Sequence, residues 1–358
     1  MNIFSLGFTL KELNDYFRNA YGKSEYHAKK LFCHIHTVGG TALHRLPEFG
    51  TAGKLAAQIA DTFTVDLPPM NLCLAQEGLR KFVLTMGDGL RTESVLIPMA
   101  GSSTLCVSSQ IGCARNCVFC ETGRLGLKRD LKTAEIVAQW AAARFKLKAS
   151  PRNIVFMGMG EPFDNFNEVI RAVRILSDSR GAAIPKRRIS VSTAGHVDGI
   201  RALTRLEHQF PQEAWRTLRL SVSVNALNDG LRSRLMPINR VWPLGELKAA
   251  LLESPQAVRK DGIYFEYVLI PKINDSPGHA EKLIAWMEGL QGKVNLIPCH
   301  PAGKRNFGEP SQESVNRFFE IIRASGRECR IRRSRGRGIG AACGMLGRTC
   351  EVLMPFRE

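Results

Sequence analysis

A chain of 358 residues, 44% hydrophobic and 23% charged, has room for about two domains and can bury a full core without disulfides. That composition excludes a collagen-like, disordered or coiled-coil protein, and no run approaches the ~18 uninterrupted apolar residues of a membrane span. The net charge is +17, from 50 Lys and Arg against 33 Asp and Glu, which suits a polyanionic partner as well as a generally solvated basic surface.

The first residues carry no basic flank and reach Glu12 and Asp15 quickly, so no secretory signal is expected and the chain reads as soluble and cytoplasmic. Thr9-Leu10-Lys11-Glu12 is a capping box that opens a helix with Leu10, Leu13, Tyr16 and Phe17 at helical spacing. Ser24 is placed to cap a second helix through Phe32, and Gly53 to Phe63 suits a third. Pro68-Pro69 breaks the pattern. Arg80–Met86 and Leu90–Ile97 then read as strands joined across Gly87-Asp88-Gly89, a hairpin signal.

From Leu105 onward, strands and helices alternate. Strand-like runs fall at Leu105–Ser108, Asn153–Met157, Arg188–Ser192, Leu218–Ser223, Tyr264–Ile270 and Val294–Ile297. Helical stretches between and after them are Thr133–Phe145, Phe166–Leu176, Leu244–Leu252, Ala280–Leu290 and Ser311–Ser325. The expected fold is α/β, with βαβ units forming an open or partial six-unit barrel whose working groups sit at the C-terminal strand ends. The expected organisation is a helical accessory domain at 1–70, a β-hairpin connection at 71–104, and the barrel at 105–358.

Between Arg327 and Arg337 stand six arginines (Arg327, Arg330, Arg332, Arg333, Arg335 and Arg337) and a single Glu. Guanidinium groups pair with phosphates and stack on unpaired bases, so this stretch is a candidate RNA contact. Of the ten cysteines, Cys33, Cys73, Cys299, Cys329 and Cys350 are scattered and read as small buried hydrophobes. Cys106, Cys113, Cys117 and Cys120 are clustered, as in a metal or redox site.

Cys113-x3-Cys117-x2-Cys120 offers three thiolates on one loop. A closed zinc site wants four ligands, so zinc would need a distant residue to complete it. Three thiolates suit a 4Fe-4S cluster with one iron open to a ligand. With Phe119 before the last cysteine, the motif resembles the signature of the radical S-adenosylmethionine (SAM) superfamily.

Six further blocks narrow the resemblance to the RlmN/Cfr family of RNA adenosine methyltransferases. They are Leu105-Cys106-Val-Ser-Ser-Gln-Ile-Gly-Cys113, Gly158-Met-Gly-Glu-Pro162, Arg187-Arg-Ile-Ser-Val-Ser192-Thr, Leu235-Met-Pro-Ile-Asn239, Asn295-Leu-Ile-Pro298 and Gly340-Ala-Ala-Cys343-Gly344. The resemblance implies a partial (βα)6 barrel, one 4Fe-4S cluster, and two SAM molecules per turnover. It also implies an electron donor such as flavodoxin or ferredoxin. The implied substrate is an adenosine of 23S rRNA, methylated at carbon 2, with tRNA as a further substrate of such members. Methylation at carbon 8 and a radical SAM enzyme with a non-RNA substrate stand as alternatives.

In that family a cysteine first takes a methyl from SAM. A radical from a second SAM then activates the methyl for addition to the base, and a second cysteine releases the protein–RNA thioether by forming a disulfide. The match puts the methyl carrier at Cys343, the releasing thiol at Cys106 and the proton acceptor at Glu93. Without the resemblance, Cys343 reads as a packing residue or part of a flexible Gly- and Arg-rich loop. Cys106 reads as a core residue or a fourth ligand, and Glu93 as an exposed strand carboxylate. For SAM, the match implies Gly160, Glu161, Ser192, Ser223, Val224, Asn225 and His300. The family has His where Asn225 stands, Asn where His300 stands, and acidic residues where Arg335–Gly340 run, so this chain reads as a divergent member.

Overall fold

Short β-rich runs separated by amphipathic ones after residue 100 fold into a mostly parallel sheet with helices on its outer face. A computed structural model describes residues 3–23, 25–39, 46–49, 52–74, 78–259, 262–300, 307–332, 340–347 and 354–355. No helix among them is long and apolar enough to cross a membrane.

The N-terminal part is helical. α1 (Leu10–Tyr21) begins with the expected box: the Glu12 amide donates to Thr9 Oγ1 and the Thr9 amide to Glu12 Oε2. It ends at Gly22, whose φ of 61° suits a residue without a Cβ. α2 (Glu25–Thr37) runs past the expected end at Phe32, because Ile35 and His36 continue its buried face. The proposed cap Ser24 lies outside the described residues. α3 (Gly53–Thr62) follows, and β1 (Ile3–Phe4) pairs in parallel with β2 (Phe63–Thr64).

β3 (Met70–Leu74), β4 (Arg80–Thr85) and β5 (Arg91–Met99) form an antiparallel meander, with Glu93 opposite Val83. The β4–β5 turn uses Gly89 at φ 79° and an Asp88 side chain that accepts the Leu90 amide. The meander is continuous with the main sheet: β5 pairs with β6 (Ser102–Cys106). A small antiparallel pair, β7 (Gln110–Ile111) and β8 (Arg129–Asp130), flanks the cysteine loop. The parallel run then passes from β6 through β9 (Asn153–Phe156), β10 (Ile189–Thr193), β11 (Arg219–Ser223), β12 (Ile263–Leu269), β13 (Gly292–Pro298) and β14 (Cys329–Ile331). At the other edge, β15 (Met354–Pro355) joins β3.

The helices are α4 (Glu121–Arg124), α5 (Thr133–Ala141), α6 (Phe166–Ser177), α7 (Val197–Gln209), α8 (Asp229–Leu235), α9 (Leu244–Glu253), α10 (Pro277–Trp286) and α11 (Gln312–Ala324). Side chains from β6 (Thr104), β10 (Ser190), β12 (Tyr264) and β14 (Ile331) line one 520 Å³ cavity, as the inner faces of a partial barrel do. Arg171 of α6 reaches Glu12 at 3.1 Å and anchors α1 to the barrel.

β14 falls within the arginine stretch, which therefore does not present one uniform basic surface. Arg327 donates to the Met287 and Leu290 carbonyls beyond α10, Arg330 pairs with Glu328, and Arg332 turns inward to Glu266 at 3.4 Å. Arg333, Arg335, Arg337 and Cys350 lie outside the described residues.

Candidate active site

Cys113, Cys117 and Cys120 line a single 190 Å³ cavity at the C-terminal ends of the parallel strands. The loop that carries them is bent by Gly112 (φ 78°) and by Asn116 (φ 51°). A Cβ on Gly112 would run into the Gly126 carbonyl, so the loop can close only on glycine. Val118 is tied by its amide to the Leu235 carbonyl at 3.0 Å. Cys120 immediately precedes α4, and the Thr122 and Gly123 amides lean on its sulfur.

Burial, with a smaller contribution from Cys120, pushes the Cys113 thiol up to about 12. Cys117 and Cys120 are likewise raised, first by burial and, for Cys117, then by its two partners. Three thiolates gathered here repel one another unless positive charge stands between them, which is the demand an iron–sulfur cluster meets. Among the described residues, no three His, Cys, Asp or Glu side chains converge on a single-ion site. Three thiols on one cavity wall suit a cluster that leaves one metal position open, whereas a closed zinc site takes a fourth ligand.

The Gly158–Pro162 loop after β9 supplies the opposite wall. Gly160, at φ 102°, faces Gln110 on its Cβ side, and a Cβ there would lie 2.6 Å from Gln110 Cβ. Its glycine is thus required by close packing on β7 as well as by its place on the cavity wall. Gln110 Oε1 accepts the Glu161 amide at 2.8 Å, which links this loop to the cysteine loop. Glu161 is buried, and its carboxylate accepts the Ala194 amide at 2.7 Å and the Phe163 amide at 3.2 Å. Burial raises its pKa, while the two amides oppose that shift.

Ser192 and Ser223 line the cavity from β10 and β11, and His300 lines it from beyond β13 with Nδ1 2.8 Å from Glu309. Val224 and Asn225 are fully buried and are not among the lining residues. Asn225, at φ 58°, accepts the Val268 amide at 2.7 Å, and its carbonyl accepts from Asn274 at 2.7 Å. Its side chain fastens the end of β11 to β12. Asn225 thus bonds to Val268 and Asn274, while His300 bonds to Glu309.

The three residues read as catalytic meet around the Gly340–Gly347 loop. Cys343 is the exposed thiol on this loop and lines the cluster cavity. Cys106 ends β6 as a buried free thiol. Burial lifts it to about 12, with Cys343 the next contributor, while Arg332 weakly favours the thiolate. Glu93 is 8% exposed, pairs with Lys81 at 2.9 Å, and accepts the Gly347 amide at 2.8 Å.

Several residues at the site carried no legible sequence signal. Glu266 was hidden inside an apolar strand, Ile263-Tyr-Phe-Glu-Tyr-Val-Leu269, where a lone carboxylate was the available hint. It lines the cavity and takes both Asn295 and Arg332. Gln139 of α5, fully buried, joins Ser94 of β5 to both the amide and the carbonyl of Ser108. Arg232 of α8 gathers the Ala194, Ser223 and Val224 carbonyls under the strand ends.

Comparison with known proteins agrees with this geometry. Residues 107–284 match the family model described as the Radical SAM superfamily. The chain is 41% identical over 326 residues to "Probable dual-specificity RNA methyltransferase RlmN 1" of Protochlamydia amoebophila, covering 91% of this chain and 88% of that one. It is 40% identical to "Dual-specificity RNA methyltransferase RlmN" of Syntrophobacter fumaroxidans, over 95% and 96% of the two chains. The chain belongs to the RlmN family. It also superposes on a radical SAM methyltransferase from Sphaerobacter thermophilus with a TM-score of 0.83, at 39% identity, over 96% and 98% of the two chains. As an RlmN-family protein it is a radical SAM RNA methyltransferase, and its family implies a 4Fe-4S cluster and SAM.

Proposed function

We propose that this chain methylates carbon 2 of an adenosine in 23S rRNA, with a tRNA adenosine as a second substrate, through an S-methyl on Cys343. The observation that carries this reading is the shared cavity: the three cluster thiols and the exposed Cys343 thiol line the same space. A carbon of the adenine ring is a poor nucleophile, so direct displacement on a SAM methyl does not serve. When bound, the cluster supplies the electron that turns SAM into a source of carbon radicals. Two SAM molecules are then used per turnover, and a cytoplasmic flavodoxin or ferredoxin is the matching electron donor.

The chain's own groups divide the remaining work. Cys113, Cys117 and Cys120 hold the cluster. Glu161, fixed by two amides, offers its charge to the ammonium of SAM, and Gly160, Ser192, Ser223 and His300 complete that wall. Val224 and Asn225 contribute from behind it by fixing the backbone around Ser223. Cys343 carries the methyl to the base. Glu93 takes the ring proton on Oε1, since Oε2 is engaged by Lys81 and Gly347. Cys106, at the end of β6, then attacks the Cys343 sulfur, and the disulfide forms as the carbon–sulfur bond breaks. The electron pair stays on the product carbon, which takes up a proton to become the methyl, and a thiol reductant reopens the disulfide. Burial keeps Cys106 protonated until that step.

Mass spectrometry of rRNA nucleosides tests this reading in a deletion strain complemented with the wild-type gene or Cys343→Ala. The wild type should restore 2-methyladenosine and Cys343→Ala should not. Restoration of 8-methyladenosine instead would move the chain to the carbon-8 branch. Cys106→Ala should accumulate a ribonuclease-sensitive protein–RNA adduct on denaturing gels.

A further inference from the structure

In the reading above, Lys81 serves only to occupy one oxygen of Glu93, yet its side chain is fully buried on β4. Its ammonium lies 2.9 Å from Glu93 Oε2 and 3.3 Å from the Gly340 carbonyl. The same Glu93 oxygen accepts the Gly347 amide at 2.8 Å. Gly340 stands three residues before Cys343 and Gly347 four residues after it. We propose that Lys81 is a positioning residue for Cys343, and that with Glu93 it forms a clamp gripping the chain on both sides of that residue.

The chemistry of the two sides explains why a charged pair is needed. One side presents a carbonyl and the other an amide. An ammonium only donates and a carboxylate only accepts, so the pair matches both sides at once while neutralising itself. Two apolar side chains could fill the same space but could hold neither side. A lone buried lysine would be strongly unfavourable, so neither member of the pair is dispensable alone.

The remaining anchors lie within the loop. The Glu121 amide donates to the Gly344 carbonyl at 2.7 Å, and Thr122 Oγ1 donates to the Leu346 carbonyl at 2.8 Å. Among the described residues these bonds reach the segment after Cys343, and the Lys81 ammonium holds the Gly340 carbonyl before it. Loosening the clamp would therefore free the approach to Cys343 while the Gly344–Leu346 side stays docked on α4. The clamp also couples two functions: Glu93 Oε2 is shared with Gly347, so a displacement of the loop would release that oxygen. This consequence rests on Cys343 being the methyl carrier, whereas the clamp itself does not.

Hydrogen–deuterium exchange on the full chain with its reconstituted cluster, without SAM or RNA, tests the clamp. Lys81→Met should speed amide exchange over residues 340–347 by about tenfold or more relative to wild type. The double variant Lys81→Met/Glu93→Leu separates a clamp from a merely structural ion pair, and it remains testable if the single variant fails to fold. Replacing both charges by apolar groups removes the buried unpaired charge. The double variant should thus regain wild-type protection in α5 and β9 yet keep fast exchange at 340–347. Wild-type protection of that loop in the double variant would overturn the proposal. Exchange does not depend on methyl transfer, so failure of the Cys343 assignment would show in the nucleoside assay alone.

Discussion

Glu161 Oε2 accepts the Ala194 amide at 2.7 Å, so one buried carboxylate ties the loop after β9 to the end of β10. Both oxygens already face backbone N–H groups. In Glu161→Gln, one of those amides would meet an NH2 group, and the charge offered to the SAM ammonium would be gone. SAM affinity measured by equilibrium dialysis should fall by about 10- to 100-fold, the range of a lost charged hydrogen bond. Iron content should stay at the wild-type level, because no cluster thiol is altered. Unchanged SAM affinity would remove Glu161 from the SAM wall.

Asn225 gives the opposite pattern. It is fully buried and left-handed, and it satisfies the Val268 amide. Asn225→Ala should lower stability by about 2–4 kcal/mol, combining an unsatisfied buried amide with a disfavoured φ. Measured by chemical denaturation, this loss should come with a smaller fall in SAM affinity than Glu161→Gln shows, because Asn225 acts only through the backbone at Ser223 and does not line the cavity.

His36 governs part of the acid stability. Burial in α2, beside Phe32 and under Gly181, lowers it to about 4, with Asp178 opposing the shift. Between pH 6.5 and about 4 the unfolded chain binds this proton and the native chain does not. Stability is therefore fully present above 6.5 and is lost as the pH falls through that window. The contribution is about 3 kcal/mol at most. His36→Leu should flatten the stability–pH curve over that range by one proton's worth, measured by denaturation at each pH. An unchanged slope would contradict the assignment.

Thiol chemistry should separate the two cysteines read as catalytic. Cys343 is exposed, whereas Cys106 is buried with its thiol raised to about 12. Under anaerobic conditions near neutral pH, iodoacetamide should label unmethylated Cys343 at least about tenfold faster than Cys106, as mapped by peptide mass spectrometry. Equal rates would show that Cys106 is open to solvent.

The cysteine loop is legible as a candidate site because three closely spaced thiols stand out, and the parallel barrel because strand and helix periods alternate cleanly. α4, α7 and α8 are not among the helical stretches named from the sequence. α7 is preceded by His196, whose ring caps Gly199, a weak sequence signal. α8 is a short turn of Asp229–Leu235 held by Asn228 and Arg232. β14 is obscured by the arginines in and around it, which read as one surface for a polyanion, although Arg327 and Arg332 point to carbonyls and to Glu266. The clamp was illegible for a different reason: Lys81, Glu93, Gly340 and Gly347 are distant in sequence and ordinary in type. Only the β4–β5 register and the return of the C-terminal loop bring them together.

The central claim is that Cys113, Cys117 and Cys120 hold an iron–sulfur cluster that cleaves SAM reductively. Anaerobic reconstitution followed by reduction in the presence of SAM tests it most directly. The account predicts about four irons per chain and formation of 5′-deoxyadenosine, both lost when any of the three cysteines is changed to Ala. One zinc per chain, with no SAM cleavage under reducing conditions, would contradict it.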